Sequence, residues 1–247
     1  ARGIATQVNS AVFQFVTNFM MALNPQITKS YATGKLEDMH KLIFRGSKFS
    51  YFLMLFFLIP ICLETRMILH LWLNVVPEYA VVFVRWTLVI TTLNMLSNTL
   101  LTALHATGNI KRYMIIVGIV ELSNFPITYL VFKFGFGPLY AYYVYFAIYL
   151  VLAFLRLYLV KDLISMKART YVNEVYIKVA VVSIVASFVP CVICYFQSDT
   201  ILRFFELCVV SVVSTSLAVW FLGLKNNERL YLLSITKAKL KNKKHEE

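Results

Sequence analysis

Charge is scarce in this chain of 247 residues. Asp, Glu, Lys and Arg make up 15% of it, and acids are the scarcer half, 12 against 24 bases. Glycine is rare, with 8 residues, and no Gly-rich loop of the kind that cradles nucleotide phosphates is present. The four histidines, His40, His70, His105 and His245, stand far apart. They show no metal-ligand spacing, so no metal and no cofactor is expected. No plausible acid–base pair for catalysis appears either, which argues against a membrane-bound transferase and against enzymes generally. Glu37, Asp38 and His40 do cluster, but a solvated loop helix accounts for them better than a catalytic site. Of the four cysteines, Cys62, Cys191, Cys194 and Cys208, all lie in apolar runs. Cys191 and Cys194 form a C-x-x-C, yet Pro190 precedes them and no strand–helix–strand pattern surrounds them. They read as buried structural thiols.

What the chain has in excess is apolar surface. Hydrophobic residues make up 60% of it and the mean hydropathy is +0.71. A soluble domain of this size has too much surface to hide that many apolar groups, whereas a bilayer accepts them. Membrane helices need about 20 mostly apolar residues, and seven stretches qualify: residues 4–24, 49–63 with a continuation through 67–73, 80–104, 113–134, 139–160, 179–196 and 201–224. The expected fold is all-α, a polytopic transmembrane bundle of about seven spans. Trp72, Trp86 and Trp220 fall near predicted ends, as interfacial residues do.

The net charge of +12 is topological rather than a nucleic-acid footprint, because the bases are not interleaved with stacking aromatics on a polar surface. They collect in alternate gaps. Lys29, Lys35, Lys41 and Arg45 occupy the first, with Lys48 beside it, Lys111 and Arg112 the third, and Lys161, Lys167, Arg169 and Lys178 the fifth, with a run from Lys225 to Lys244 after the last span. The intervening gaps are nearly free of bases. The positive-inside rule then puts the C-terminus in the cytoplasm and the start of the chain outside. Residues 225–247 form a basic tail, and residues 227–241 are predicted to make an amphipathic helix on the anionic inner leaflet, the alternative beyond Lys239 being a disordered basic tail. A chain opening at Ala1 with no signal-peptide pattern is expected to be a fragment of a longer protein.

Function is sought in the polar residues that interrupt the apolar spans. Gln7, Gln14 and Asn18 in the first span are seven and four apart, so they share one helix face. That face is expensive to expose to lipid. It lines a cavity for a polar substrate or forms interhelical hydrogen bonds. Thr91, Asn94, Asn98, Thr102 and His105 make a second polar stripe in the third span. Gln7, Gln14, Asn18, Asn94 and Asn98 are the candidate cavity residues. Glu121 lies well inside the fourth span, with Asn124 and Thr128 on the same face and Pro126 loosening the helix. An intramembrane carboxylate is a functional candidate, here for coupling to an ion gradient together with Asn124. The alternative is a structural carboxyl packed against the third span. Arg156 is predicted to snorkel toward the membrane surface beside Lys161. Tyr140, Tyr142, Tyr143, Tyr145, Tyr149 and Tyr158 crowd the fifth span, for packing or for stacking on sugars.

The first 39 residues, ARGIATQVNSAVFQFVTNFMMALNPQITKSYATGKLEDM, resemble the Wzx-type polysaccharide flippases of the multidrug/oligosaccharidyl-lipid/polysaccharide exporter superfamily. ILHLWLNVVPEY and TALHATGNIKRY carry the resemblance onward. Pro25, Gly34, Trp72, Pro77, Gly108 and Lys111 stand in the right order and spacing. The likeness covers most of residues 1–165 and fades over the last two spans. It implies two pseudo-symmetric lobes of six helices around a cavity, often followed by two extra helices. On that basis residues 1–165 are the second-lobe bundle of about five helices, 166–224 the two additional helices and 225–247 the tail, with an N-terminal lobe missing. The implied activity is the flipping of an undecaprenyl-diphosphate-linked oligosaccharide across the bacterial cytoplasmic membrane. The implied partners are that lipid-linked oligosaccharide, the membrane lipids and the missing lobe. A multidrug or cation antiporter of the same superfamily is the rival. A heptahelical receptor would want an acidic–arginine pair where this chain has His105-Ala106-Thr107-Gly108, and a purely structural subunit remains an alternative.

Overall fold

The structure is a computed structural model that describes residues 1–73, 75–198, 200–225 and 228–229. These residues form helices and turns, with no strand among them. The described helices follow one another as seven successive passes. The first is α1 (Arg2–Ala32) and the second α2 (Leu36–Leu63), followed by the short α3 (Thr65–Trp72). α4 (Ala80–Met95) and α5 (Asn98–Thr107) form the third pass, α6 (Lys111–Leu122) and α7 (Asn124–Lys133) the fourth, and α8 (Leu139–Lys161) the fifth. α9 (Ala168–Tyr171) leads through a π-helical turn (Val172–Tyr176) into α10 (Ile177–Phe196), the sixth. α11 (Ile201–Ala218) and a π-helical turn (Val219–Gly223) complete the seventh.

Five of these passes are long and apolar enough to cross a membrane: Leu36–Leu63, Lys111–Lys133, Leu139–Lys161, Ala168–Phe196 and Ile201–Gly223. The α4–α5 pair, bent by 40°, makes a sixth. At 31 residues α1 is also long enough, about 46 Å. Its Gln, Asn and Thr residues keep it out of the apolar set.

The first basic gap is shorter than the sequence predicts. α1 continues past Pro25 to Ala32, and α2 starts at Leu36. Glu37 and Asp38, expected in a loop helix, sit in the first turn of α2, where carboxylates complement the helix dipole. Gly34 and Gly108 close the two turns at this end in the left-handed region, at φ +70° and +71°. A side chain there would be strained. Lys48 is not a loop base. It lies inside α2 with 1% of its surface exposed and pairs with Glu228 at 2.9 Å. Of the predicted tail helix, Asn227 and residues 230–241 lie outside the described residues.

α2 is the central helix. It packs against α1, α4 and α5 on one side and against α10 and α11 on the other. Gly46 permits the close approach of three helices, since a Cβ there would come within 2.2 Å of Leu23 and 2.6 Å of Thr99. One apolar cluster joins α1, α2 and α4 through Val12, Val16, Met20, Met54, Leu88 and Met95. A second joins α2, α5, α8 and α10 through Phe52, Leu55, Leu100, Leu152, Tyr171 and Val182. Large apolar side chains such as Phe125, Ile184, Phe188, Leu202 and Phe205 stay exposed on the outer helices, where they can contact acyl chains.

Two helix breaks matter for the site. At Leu96–Ser97 the third pass bends, and the Leu96 carbonyl accepts hydrogen bonds from the hydroxyls of Ser47 and Tyr171. The second break is at Ser123, three residues before Pro126. Proline has no N–H to offer the carbonyl one turn back and its ring crowds that carbonyl. The Ser123 hydroxyl bonds the Val120 carbonyl at 2.6 Å.

Candidate substrate groove

A groove of about 280 Å³ opens between α1, the α4–α5 bend, α6 and α8. Asn94, Ser97 and Asn98 line it from the bend, Tyr113 and Glu121 from α6, Arg156 from α8 and Phe13 from α1. The bend explains why three polar residues of the third pass meet there. The break at Ser97 carries Asn94 and Asn98 to the two sides of one kink. The Ser97 hydroxyl is buried without a hydrogen-bond partner among the described residues.

Arg156 organises the groove. Its Nη2 donates to Glu121 Oε1 at 2.7 Å, and its Nη1 donates to Asn94 Oδ1. The guanidinium carbon lies 5.7 Å from the centre of the Tyr149 ring, a cation–π distance. One side chain thereby ties α8 to α4 and to α6. Snorkelling beside Lys161 does not occur, since Arg156 is 9% exposed. The reason lies in helix geometry. A helical side chain leans toward the N-terminus of its own helix. α8 ends at the basic side, so its N-terminus is on the opposite side. Arg156 therefore reaches back into the bundle, to the depth of Glu121.

The structure brings Asn94, Asn98 and Glu121 together, as the polar stripes suggest. Asn124 stands one turn beyond the groove lining and accepts a hydrogen bond from Thr128 at 3.3 Å. Gln7, Gln14 and Asn18 do share a face, and Gln14 donates to Asn18 at 3.3 Å. That face is exposed and lies about half a turn from the buried stripe of Ala5, Val12, Val16 and Met20. The amide stripe and the groove are thus separate surfaces among the described residues. Asn24 is interhelical glue, accepting from Thr102 at 3.0 Å. Of the tyrosines in α8, Tyr142 packs on Phe83 and Tyr143 on Trp86 along the α4 seam. Tyr145 donates to Tyr149 beside the groove.

Sequence reasoning missed Arg156 as the partner of Glu121, and Ser47 and Tyr171 as the support of the bend. Charge parity offered a signal for the first: two opposite charges in neighbouring spans have few other ways to be accommodated in hydrocarbon. A wider notch of about 420 Å³ lies at the α10–α11 turn, lined by Gln197, Ser198, Arg203 and Glu206. Arg203 there is tied to Glu64 and to the Gln197 carbonyl, which makes it part of the scaffold. No group of His, Cys, Asp and Glu fit to hold a metal occurs among the described residues.

A family model described as MatE matches residues 1–130, more than half of the chain. The chain belongs to the MatE family. It is a multi-pass membrane transporter of that family, a class that is generally non-enzymatic. The match runs from α1 into α7 and includes Asn94, Asn98 and Glu121, while Arg156 lies beyond it. No curated protein and no solved structure matches this MatE-family chain.

Proposed function

We propose that this MatE-family transporter is a flippase that moves an undecaprenyl-diphosphate-linked oligosaccharide across the bacterial cytoplasmic membrane by alternating access. The observation that carries the reading is the charge balance of the groove. Its carboxylate, Glu121, is paired with Arg156, and amides and hydroxyls make up most of its remaining polar lining. A cation has no uncompensated negative charge to bind there, whereas a sugar finds donors and acceptors. A glycan hydroxyl entering hydrocarbon without a partner costs roughly 2–7 kcal/mol. A polar groove replaces those partners while the lipid tail stays in the bilayer. The outward amides Gln7, Gln14 and Asn18 form a second polar wall, suited to face a partner lobe across a central cavity. Rocking of one lobe against the other then alternates access.

The test is complementation. Bacteria lacking their own flippase should regain surface polysaccharide when the intact protein is expressed. Efflux of cationic dyes without restored polysaccharide establishes the antiporter instead, the reading favoured by the 42% exposure of the Glu121 side chain. The basic end is assigned to the cytoplasm. In a cysteine-free background, a cysteine at Ser198 should label from outside the cell, and one at Lys35 only after permeabilisation. The reverse pattern overturns the orientation.

A further inference from the structure

We propose that Arg156 is an anion-binding residue of the groove and that Glu121 is its exchangeable internal counter-ion, displaced when a phosphate group of the substrate docks. The flippase reading supplies the identity of the anion, while the site itself rests on geometry alone.

The two members of this ion pair are unequally held. The Arg156 side chain is 11% exposed and the Glu121 side chain 42%. A guanidinium that deep cannot return to water, so it needs a negative or strongly polar partner within the bundle. The carboxylate can rehydrate at the groove mouth when it lets go. Their helices differ in the same sense. α8, which carries Arg156, packs against α4, α5, α6 and α7, whereas α6, which carries Glu121, packs on α8 and its own continuation α7. The partner easier to move is therefore the carboxylate.

The guanidinium also has capacity to spare. It presents five N–H donors in a planar fork. Nη1 is used by Asn94 and Nη2 by Glu121, while Nε is buried with no hydrogen-bond partner among the described residues. The Nε and Nη2 edge of an arginine is the geometry that takes a phosphate through two parallel bonds. Glu121, with one oxygen on Nη2, uses half of that edge. A phosphate spanning both positions satisfies the orphaned donor as well, which gives it an advantage over the resident carboxylate. Tyr149 beneath the guanidinium and Asn94 on its far side hold the fork in place during the exchange. The step is a swap of ionic partners and breaks no covalent bond.

Displacement has a mechanical consequence. The Glu121–Arg156 contact is an ion pair between the broken α6–α7 pass and α8. Occupancy by phosphate releases that tie, so binding of the anionic head loosens the α6–α7 pass against α8 and connects loading to movement.

The probe is inorganic pyrophosphate, titrated calorimetrically into the intact protein in detergent. Glu121→Gln removes the competitor and should tighten pyrophosphate binding about tenfold, since hydrogen bonds to charged groups are worth one such factor or more. Arg156→Gln combined with Glu121→Gln keeps an amide pair of similar shape and should abolish binding at this site. A Glu121→Gln protein that binds pyrophosphate no tighter than the parent overturns the proposal. So does retained affinity in the double variant. Thermal melts of the same samples confirm that each is folded, and the double variant spares the fold an unpaired buried charge. The outcome is separable from the transport reading. Dye efflux in cells sinks the flippase while leaving the calorimetric result intact, and restored polysaccharide with unchanged pyrophosphate affinity sinks the exchange alone.

Discussion

The α2–α10–α11 body and the α6–α7–α8 hairpin use the same device, a cation–carboxylate pair between helices, in opposite ways. In the first, two pairs fasten α2, one near its middle and one at its C-terminal end. Arg203 at the start of α11 bonds Glu64 at 2.9 Å, with side-chain exposures of 7% and 3%. Lys48 bonds Glu228 at 2.9 Å, with 1% and 6%. Between them Tyr51 reaches Ser183 of α10 at 3.0 Å. In the second region a single pair, half open to its surroundings, ties α6 to α8. Within the chain 50% of the apolar window of α2 is buried, against 6% for that of Lys111–Lys133. A sealed ion pair has no route back to water and acts as a rivet, while one with an exposed partner can exchange. The α2 body is thus suited to move as a unit, and the hairpin is where relative motion costs least.

The sharpest way to break this contrast is to remove a rivet. Lys48→Ala leaves the Glu228 carboxylate only the half-exposed Arg45 guanidinium at 3.3 Å and the Lys225 N–H, and should lower unfolding stability by about 2 kcal/mol, below the range for a pair broken with no second partner. The melting temperature in detergent reads it directly, and an unchanged melt refutes the rivet. Acid gives an independent handle. Burial pushes the Glu228 carboxyl upward, but the Lys225 backbone N–H, the Lys48 ammonium and the Arg45 guanidinium outweigh it and hold the group below its ordinary value of 4.5. A carboxyl depressed on folding contributes stability that is complete above the unfolded value and is lost as pH falls through the folded one. The parent should therefore lose stability below pH 4.5 more steeply than Lys48→Ala, in which less depression remains to be lost. Parallel acid profiles would assign the pair no part in the fastening.

A smaller effect is expected at the bend that shapes the groove. Tyr171→Phe removes the hydroxyl that bonds the Leu96 carbonyl and Ser47, while Ser47 keeps its own bond to that carbonyl. The cost should be about 1–2 kcal/mol, the price of a buried hydrogen bond lost on one side. Because the two hydroxyls share an acceptor, Ser47→Ala and Tyr171→Phe should be non-additive in a double-mutant cycle. Simple additivity would mean that the two hydroxyls do not act as one support.

The all-α character, the passes and the basic end were legible because apolar run length and charge asymmetry are properties of single segments. That Asn94, Asn98 and Glu121 interrupt the apolar spans was legible as well, since a polar group in a span is conspicuous wherever it points. What escaped were relations between segments. Lys48 and Arg45 look alike in sequence, and only packing against α10 and α11 buries one of them. Ser47 and Tyr171 are 124 residues apart and meet at a carbonyl that no side-chain pattern marks. Arg156 was misplaced because distance from the end of the span was weighed without the direction in which a helical side chain leans. The amide stripe of α1 marked a face correctly but could not say what lies opposite.

The smallest stability change belongs to Glu121→Gln, and it sharpens the comparison most. Gln keeps an oxygen that can accept from Arg156, and the side chain it replaces is 42% exposed, so the loss should be about 1 kcal/mol or less. Glu228→Gln, at a side chain 6% exposed with Lys48 sealed beside it, should cost several times more. Adding pyrophosphate then separates the two kinds of pair. A ligand that binds only the folded state raises stability by RT ln(1 + [L]/Kd), about 2.7 kcal/mol at a hundredfold excess over Kd. At such an excess the Glu121→Gln protein should regain its melting temperature and exceed the parent's, because the anion occupies the fork that the carboxylate has left. Glu228→Gln should gain no more than the parent, since its cation faces no groove. Equal recovery of both variants would show that pyrophosphate acts through the basic surface generally, and the distinction between rivet and exchangeable pair would fall.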